Sequence, residues 1–275
     1  MSTRLMAEIT IDKYLCVKCG QCIVACPARI YQRKSPNDYP SAASYAEEVC
    51  IGCAHCLAVC PVGAITVDGK TNADCVSFAD GSVPRFEQIA NLARLRRSIR
   101  SYSDKPMDNG TIEQMLDVVR YAPTAINGLP VKWIAVNGRK KVLELAALVS
   151  EWSKTQLPKS ALLLAEWERG GDPFFRGAPC VIIAYTDETA VWPVVDATIA
   201  VETLDLCAAA KHLGSCWAGY FVRAAQSKES KGAINAWLGL KDNETAQGGL
   251  MLGHTGTVAY QRIPYRPELS LRWIC

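Results

Sequence analysis

The chain has 275 residues and a formal net charge of +3, with 49% hydrophobic and 21% charged residues. So small a charge with no long basic run excludes the electrostatic footprint of a nucleic-acid binder or of a protein held to an anionic membrane surface. The longest apolar stretch, residues 194–210, is broken by Asp196, Glu202 and Asp205, which excludes a membrane-spanning helix.

A strand at residues 8–11 leads into Cys16-Val-Lys-Cys19-Gly-Gln-Cys22-Ile-Val-Ala-Cys26-Pro27, and a short helix follows. Residues 32–48, rich in Ser, Pro, Asn and Ala, have loop chemistry. The cysteine run then recurs as Cys50-Ile-Gly-Cys53-Ala-His-Cys56-Leu-Ala-Val-Cys60-Pro61 and ends in a strand at residues 64–67. Closely spaced thiolates of this kind hold a [4Fe–4S] cube, and in two-cluster proteins the fourth cysteine of each run ligates the other cube. That rule assigns Cys16, Cys19, Cys22 and Cys60 to one cluster, and Cys50, Cys53, Cys56 and Cys26 to the other. A structural zinc site needs only four ligands, usually two separated pairs, and fits four cysteines in one short run less well. Disulfides fit least: no segment has the pattern of a signal peptide, and the expected location is the reducing cytoplasm. The pattern resembles a bacterial-type two-cluster ferredoxin over about the first quarter of the chain. Cys75, Cys180, Cys207, Cys216 and Cys275 stand singly and are expected to be small buried hydrophobes or inert surface thiols.

Residues 70–84 carry turn residues without sustained periodicity, which predicts a first domain over 1–76, a linker over 77–88 and a second domain over 89–275. In the second, Ile89, Leu92, Ala93 and Leu95 repeat at helical spacing. A second helix opens at Thr111 with Gln114 as its capping-box partner and presents Ile112, Met115, Leu116 and Val119 on one face. A strand at 131–136, a helical stretch from 139 to 168 and a buried strand at 180–185 follow. A buried helix at 195–213 is stopped by Gly214, then come a strand at 216–221, a helix at 224–238 and a last strand at 250–252. Helices alternating irregularly with about four strands predict an α+β domain.

Five short pieces in order carry a second resemblance: Arg96-Arg97-Ser98-Ile99-Arg100; Ala122-Pro123-Thr124-Ala125-Ile126-Asn127 with Pro130; a long helix with Asp196 near its start; Cys216-Trp217-Ala218-Gly219; and Leu252-Gly253-His254 followed by Arg262-Ile-Pro-Tyr-Arg266-Pro. Over residues 90–275 this is similar to the FMN-dependent nitroreductase family, and the whole chain to its ferredoxin-fused branch, common in anaerobes. The resemblance implies an intertwined homodimer with FMN between subunits, its phosphate met by Arg96, Arg97, Ser98, Arg100, Arg262 and Arg266. Guanidinium groups and a hydroxyl suit such a dianion. It further implies that Pro123, Thr124, Ala125 and Asn127 approach the flavin ring from the partner subunit, and that the Ala218 and Gly219 amides face its reactive nitrogen. Leu129 stands where many members have a glutamine that would touch the pyrimidine. Trp152, Trp167, Phe174, Phe175 and Trp192 fall in the segment that shapes substrate choice in relatives, though single aromatics are more often core. Tyr220 and His254 are candidate proton donors.

No G-x-G-x-x-G follows a strand, so there is no Rossmann site for a nicotinamide cofactor. The combination implies an oxidoreductase in which reduced ferredoxin, flavodoxin or NAD(P)H supplies electrons, two [4Fe–4S] clusters relay them singly to FMN, and a small organic acceptor such as a nitroaromatic compound or quinone is reduced. The alternative is an electron-transfer module of a larger complex with no turnover of its own.

Overall fold

The computed structural model describes residues 7–79, 81–156, 158–258 and 260–275. Asp80 of the expected linker and Leu157 of the expected 139–168 helix lie outside the described residues. The chain forms two compact units, one of residues up to Val83 together with Thr124–Gly128, the other of Pro84–Pro123 and Leu129–Cys275. The break after Val83 falls within residues 77–88; nothing in the sequence signalled that Thr124–Gly128 would join the first unit.

The first unit runs β1 (Ile9–Ile11), α1 (Gln21–Ala25), β2 (Tyr31–Gln32), β3 (Ser41–Ala42), α2 (Ala46–Val49), α3 (His55–Ala58) and β4 (Ile65–Val67). The expected loop at 32–48 thus contains a hairpin strand and one helical turn. β1 pairs antiparallel with β4, Ile9 opposite Val67, and β2 pairs with β3, Tyr31 opposite Ala42. Ile30, Tyr31, Leu57, Ile65 and Val67 form a small core with Cys22. The two cysteine runs repeat in backbone conformation as well as in sequence. Lys18 and Gly52, Gly20 and Ala54, and Arg29 and Gly63 occupy matching positions, and all six have φ between 51° and 76°. Only glycine enters that left-handed region without steric cost, so its use by Lys18, Arg29 and Ala54 shows that the loop shape is imposed by something other than local preference.

The second unit runs α4 (Phe86–Leu95), α5 (Asn109–Val119), β5 (Lys132–Asn137), α6 (Arg139–Lys154), α7 (Ala161–Glu168), β6 (Cys180–Asp187), α8 (Pro193–Ala210), β7 (Gly214–Trp217), α9 (Gly219–Gln226), α10 (Lys231–Leu238) and β8 (Glu244–Gly253). The strands form one antiparallel sheet in the order β5-β6-β8-β7. β6 is buried on both faces. Cys180, Ile182 and Ala184 pack with Ile112, Met115, Val201 and Leu204 of α5 and α8, whereas Val181 and Ile183 pack with Leu145, Val149 and Phe221 of α6 and α9. Strand alternation therefore builds a three-layer α/β/α core. Opposite the step from Ala184 to Tyr185, β8 carries one extra residue, Gln247. This bulge reverses the alternation, so Ala246 joins the α6 and α9 side while Leu250 and Leu252 face α5 and α8.

Several boundaries differ from the sequence expectations. α5 begins at Asn109 because Asp108 is its cap, its carboxylate accepting from the Thr111 amide at 2.7 Å and the Thr111 hydroxyl at 2.9 Å. The 139–168 stretch is two helices, broken near Pro158, which cannot continue a helix. Gly214 does not stop α8. It lies in β7 opposite Gly253, where a Cβ would stand 2.9 Å from Ile99 Cγ2, and it is glycine because the chains approach closely. The expected strand at 216–221 ends at Trp217 and gives way to α9. The expected 224–238 helix is α9 and α10, and the Ser230 hydroxyl donates to the Ala224 carbonyl between them at 2.6 Å. The last strand spans ten residues where three were expected.

Candidate functional site

Two kinds of site stand out, each within its own unit. In the first unit, Cys26, Cys50, Cys53 and Cys56 line one small cavity. Cys16, Cys19, Cys22 and Cys60 line a second. Each cavity thus combines three cysteines of one run with the fourth of the other. The route is physical: Cys22 and Cys56 sit on α1 and α3, which begin immediately after the left-handed Gly20 and Ala54. The left-handed residues turn backbone amides toward sulfur. Gly52 donates to Cys50 Sγ at 3.4 Å and Ala64 to Cys60 Sγ at 3.2 Å.

The donor set fits an iron–sulfur cube. Four thiols surround a space, and among the described residues no three His, Cys, Asp or Glu side chains are grouped to hold a single metal ion. Burial pushes the Cys22 and Cys56 thiols up from the ordinary range. Iron coordination is what would hold them as thiolates.

Each cysteine loop is also pinned by a side chain. Arg33 donates to the Lys18 carbonyl at 3.0 Å. At the matching place in the second loop, the Asn127 amide donates to the carbonyls of Ile51 and Gly52, both at 3.2 Å. Thr124, Ala125 and Asn127, expected to approach the flavin, therefore belong to the first unit, while Pro123 ends a segment of the second. The loop is strained: Ile126, Asn127 and Leu129 have φ of 48°, 53° and 46°, and a left-handed β-branched residue is a true outlier.

In the second unit, an open hollow is lined by Arg100, Arg176, Arg223, Trp217, Gly219 and Tyr220, with Phe174 and Cys216 behind them. Ser98 bridges to Ser215, and Ile99 N donates to Ser215 O at 2.8 Å, so the Arg96–Arg100 stretch runs beside β7 and delivers Arg100 to the hollow. Arg100 donates to the Ser98 carbonyl at 3.3 Å. Arg96 is instead half-buried and engaged elsewhere. It pairs with Asp205 at 3.0 Å, and Asp205 also accepts from the Ser215 hydroxyl. Arg97 donates to the Arg96 carbonyl at 2.6 Å. The Ala218 amide is committed to the Gly249 carbonyl at 2.8 Å, whereas Gly219 opens α9, where first-turn amides have no partner within the helix. Arg262 and Arg266 lie on an exposed tail outside strands and helices and do not line the hollow. His254 does not line it either; Tyr220 does. Trp152, Phe174 and Phe175 are core residues, and Trp192 is exposed at the start of α8.

Sequence reasoning missed Arg176 and Arg223. Arg223 lies one helical turn after Gly219, a spacing hidden while 216–221 was read as strand, and its guanidinium stacks 5.3 Å over Trp152. Arg176 is left-handed at φ 57° in a turn organised by Asp172, whose carboxylate accepts from the Phe175 and Gly177 amides and from Arg139.

The profile of the nitroreductase family matches residues 93–254, and that of a 4Fe-4S dicluster domain matches residues 9–67. A protein of Archaeoglobus fulgidus, provisionally named NADH dehydrogenase/NAD(P)H nitroreductase, is 26% identical over 169 residues, 62% of this chain and 86% of that protein. Nitroreductases with bound FMN from Bacteroides fragilis and Desulfitobacterium hafniense superimpose with TM-scores of 0.58 and 0.57, each 21% identical. They cover 68% and 67% of this chain and 98% and 96% of their own. At that identity the likeness is one of fold.

Proposed function

The chain belongs to the nitroreductase family of flavin oxidoreductases and carries a 4Fe-4S dicluster domain before the family domain, and on that premise we propose that it passes single electrons through two [4Fe–4S] clusters to FMN for reduction of a small organic acceptor. The observation that supports it is that one chain holds two four-cysteine cavities in its first unit and a three-arginine hollow in its second. Bound FMN supplies the conversion of single electrons to pairs.

The protein's own residues do the rest. The crossed cysteine sets hold the clusters. Arg100, Arg176 and Arg223 offer guanidinium donors for the FMN phosphate, and this set takes the place of the expected Arg96, which Asp205 already engages. Gly219, without a Cβ, lets the backbone of α9 approach the ring. Trp217, Phe174 and Tyr220 give the hollow an aromatic side on which a flat ring could pack. The acceptor is a nitroaromatic compound or quinone, and the donor a reduced ferredoxin, a flavodoxin or NAD(P)H.

The protein works as a homodimer in the cytoplasm. α4 buries none of its residues and leaves Phe86, Ile89 and Leu95 exposed, and the tail exposes Tyr265, Leu269, Trp273 and Ile274. A second copy of the chain is the partner that would cover them. No helix among the described residues is long and apolar enough to cross a membrane.

The test is iron, acid-labile sulfide and flavin content per chain in protein purified without oxygen, followed by turnover with a nitroaromatic acceptor. About eight irons, eight sulfides and one FMN are expected. Full iron with no flavin and no turnover would leave an electron-transfer module and overturn the reading.

A further inference from the structure

The two cysteine cavities differ at one buried polar atom. Tyr31, held in β2 by its pairing with Ala42, is 3% exposed and lines the cavity of Cys26, Cys50, Cys53 and Cys56. Its hydroxyl is buried and has no hydrogen-bond partner of ordinary geometry among the described residues. A buried hydroxyl left without a partner is costly, and buried tyrosine hydroxyls as a rule have partners. Its polar neighbour in the cavity is the sulfur of Cys56. Burial first, and then the neighbouring Cys56 thiol, push the phenol well above its ordinary range. The other cavity offers nothing comparable, its lining of Ile11, Val62 and Ile65 being apolar and its Gln21 side chain exposed. At the matching place the first cavity has His55, exposed like Gln21, and each cavity has one backbone amide on a cysteine sulfur.

We propose that the Tyr31 hydroxyl donates a hydrogen bond to a sulfur of the cluster held by Cys26, Cys50, Cys53 and Cys56, and so holds that cluster's reduction potential above the value it would otherwise have. The inference rests on the reading that these cavities hold clusters. Reduction adds one electron from a low-potential one-electron donor, and the added negative charge is shared with the sulfurs. An O–H dipole aimed at sulfur stabilises the reduced form more than the oxidised one. No covalent bond forms or breaks, and the hydroxyl keeps its proton. Tyr31 acts most strongly on the cluster whose cavity it lines and more weakly on the other, whose Cys22 is also among its neighbours.

The experiment is a potentiometric titration followed by electron paramagnetic resonance on the full-length protein. It uses the wild type, Tyr31→Phe, and protein carrying 3-fluorotyrosine at position 31. Signals are assigned with Cys19→Ser and Cys53→Ser, each of which alters the ligands of one cluster. Iron and sulfide are measured first, and their absence from the wild type would sink the cluster reading itself. With iron present, Tyr31→Phe should move the oxidised-to-reduced ratio of the Cys53 cluster about tenfold toward oxidised at fixed potential, roughly 59 mV for a one-electron couple. The more acidic fluorinated hydroxyl should move it the other way. The Cys19 cluster should move much less in both. Unchanged potentials, or equal shifts of both clusters, would overturn the proposal. If Tyr31→Phe fails to retain iron, the fluorinated protein decides alone, since it changes the acidity of the hydroxyl and barely its shape.

Discussion

The two cysteine loops of the first unit share the same three left-handed positions, and in both the carbonyl between the first two cysteines accepts from a side-chain N–H. They differ in where that donor comes from. Lys18 is held by Arg33, 15 residues on in the same loop system, whereas Gly52 is held by Asn127, 75 residues away. The first anchor is local and charged; the second is neutral and imported. Loop geometry is thus the common demand, set by what four thiols must surround, and each repeat meets it with whatever side chain its surroundings supply.

The largest effects should come from the crossed ligands. Cys60→Ala should remove the cluster of Cys16, Cys19 and Cys22 and leave about four irons per chain, while Cys26→Ala should remove the other; iron analysis and resonance spectra distinguish them. Selective loss of the opposite cluster in either variant would break the crossed assignment. Next come the anchors. Asn127→Ala removes two hydrogen bonds worth about 1 kcal/mol each, so release of the second cluster to a chelator should speed up some tenfold or more while the first is unaffected. Arg33→Ala should show the reverse selectivity.

Smaller effects test the backbone. A side chain at Gly63 meets φ +65° and would place its Cβ 2.6 Å from Asn72 Oδ1, so Gly63→Ala should lower stability by about 1–2 kcal/mol. Arg29→Gly at the matching position should change it by less, in the opposite direction. The smallest change is expected of Ala54→Gly, which relieves a left-handed alanine but loosens the unfolded chain. A net gain of about 0.5 kcal/mol would raise the melting temperature by a degree or two. A loss in both glycine variants would mean that the left-handed turns are not strained.

The cysteine sites were legible because their chemistry depends on spacing within one short run. β6 was legible for a related reason, since a strand buried on both faces must be apolar throughout. The hollow was not, because Arg100, Arg176 and Arg223 come from a strand edge, a turn and a helix that only the sheet order brings together. Residues 216–221 misled because Ala218, at the start of α9, has no side chain to cap it, and an uncapped start leaves no trace among apolar neighbours. At α5 the Thr111 capping box drew the helix start two residues late, and Asp108 is the cap because one carboxylate reaches both donors of Thr111. The Asn127 loop was recognised as special and expected at the flavin; its amide is engaged with the Gly52 carbonyl, a contact no local pattern could announce.

That loop bears on how the molecule can be divided. Residues 124–128 leave the second unit after Pro123 and re-enter it at Leu129, yet fold as part of the first. A gene cut after residue 83 would yield a protein with all eight cysteines of the two runs and no Asn127, its second cysteine loop missing a brace. The first unit is therefore not a cassette to be grafted whole onto another reductase: a transplant would have to carry the five-residue segment as well, and a natural exchange of such units would have to change two places in the chain together.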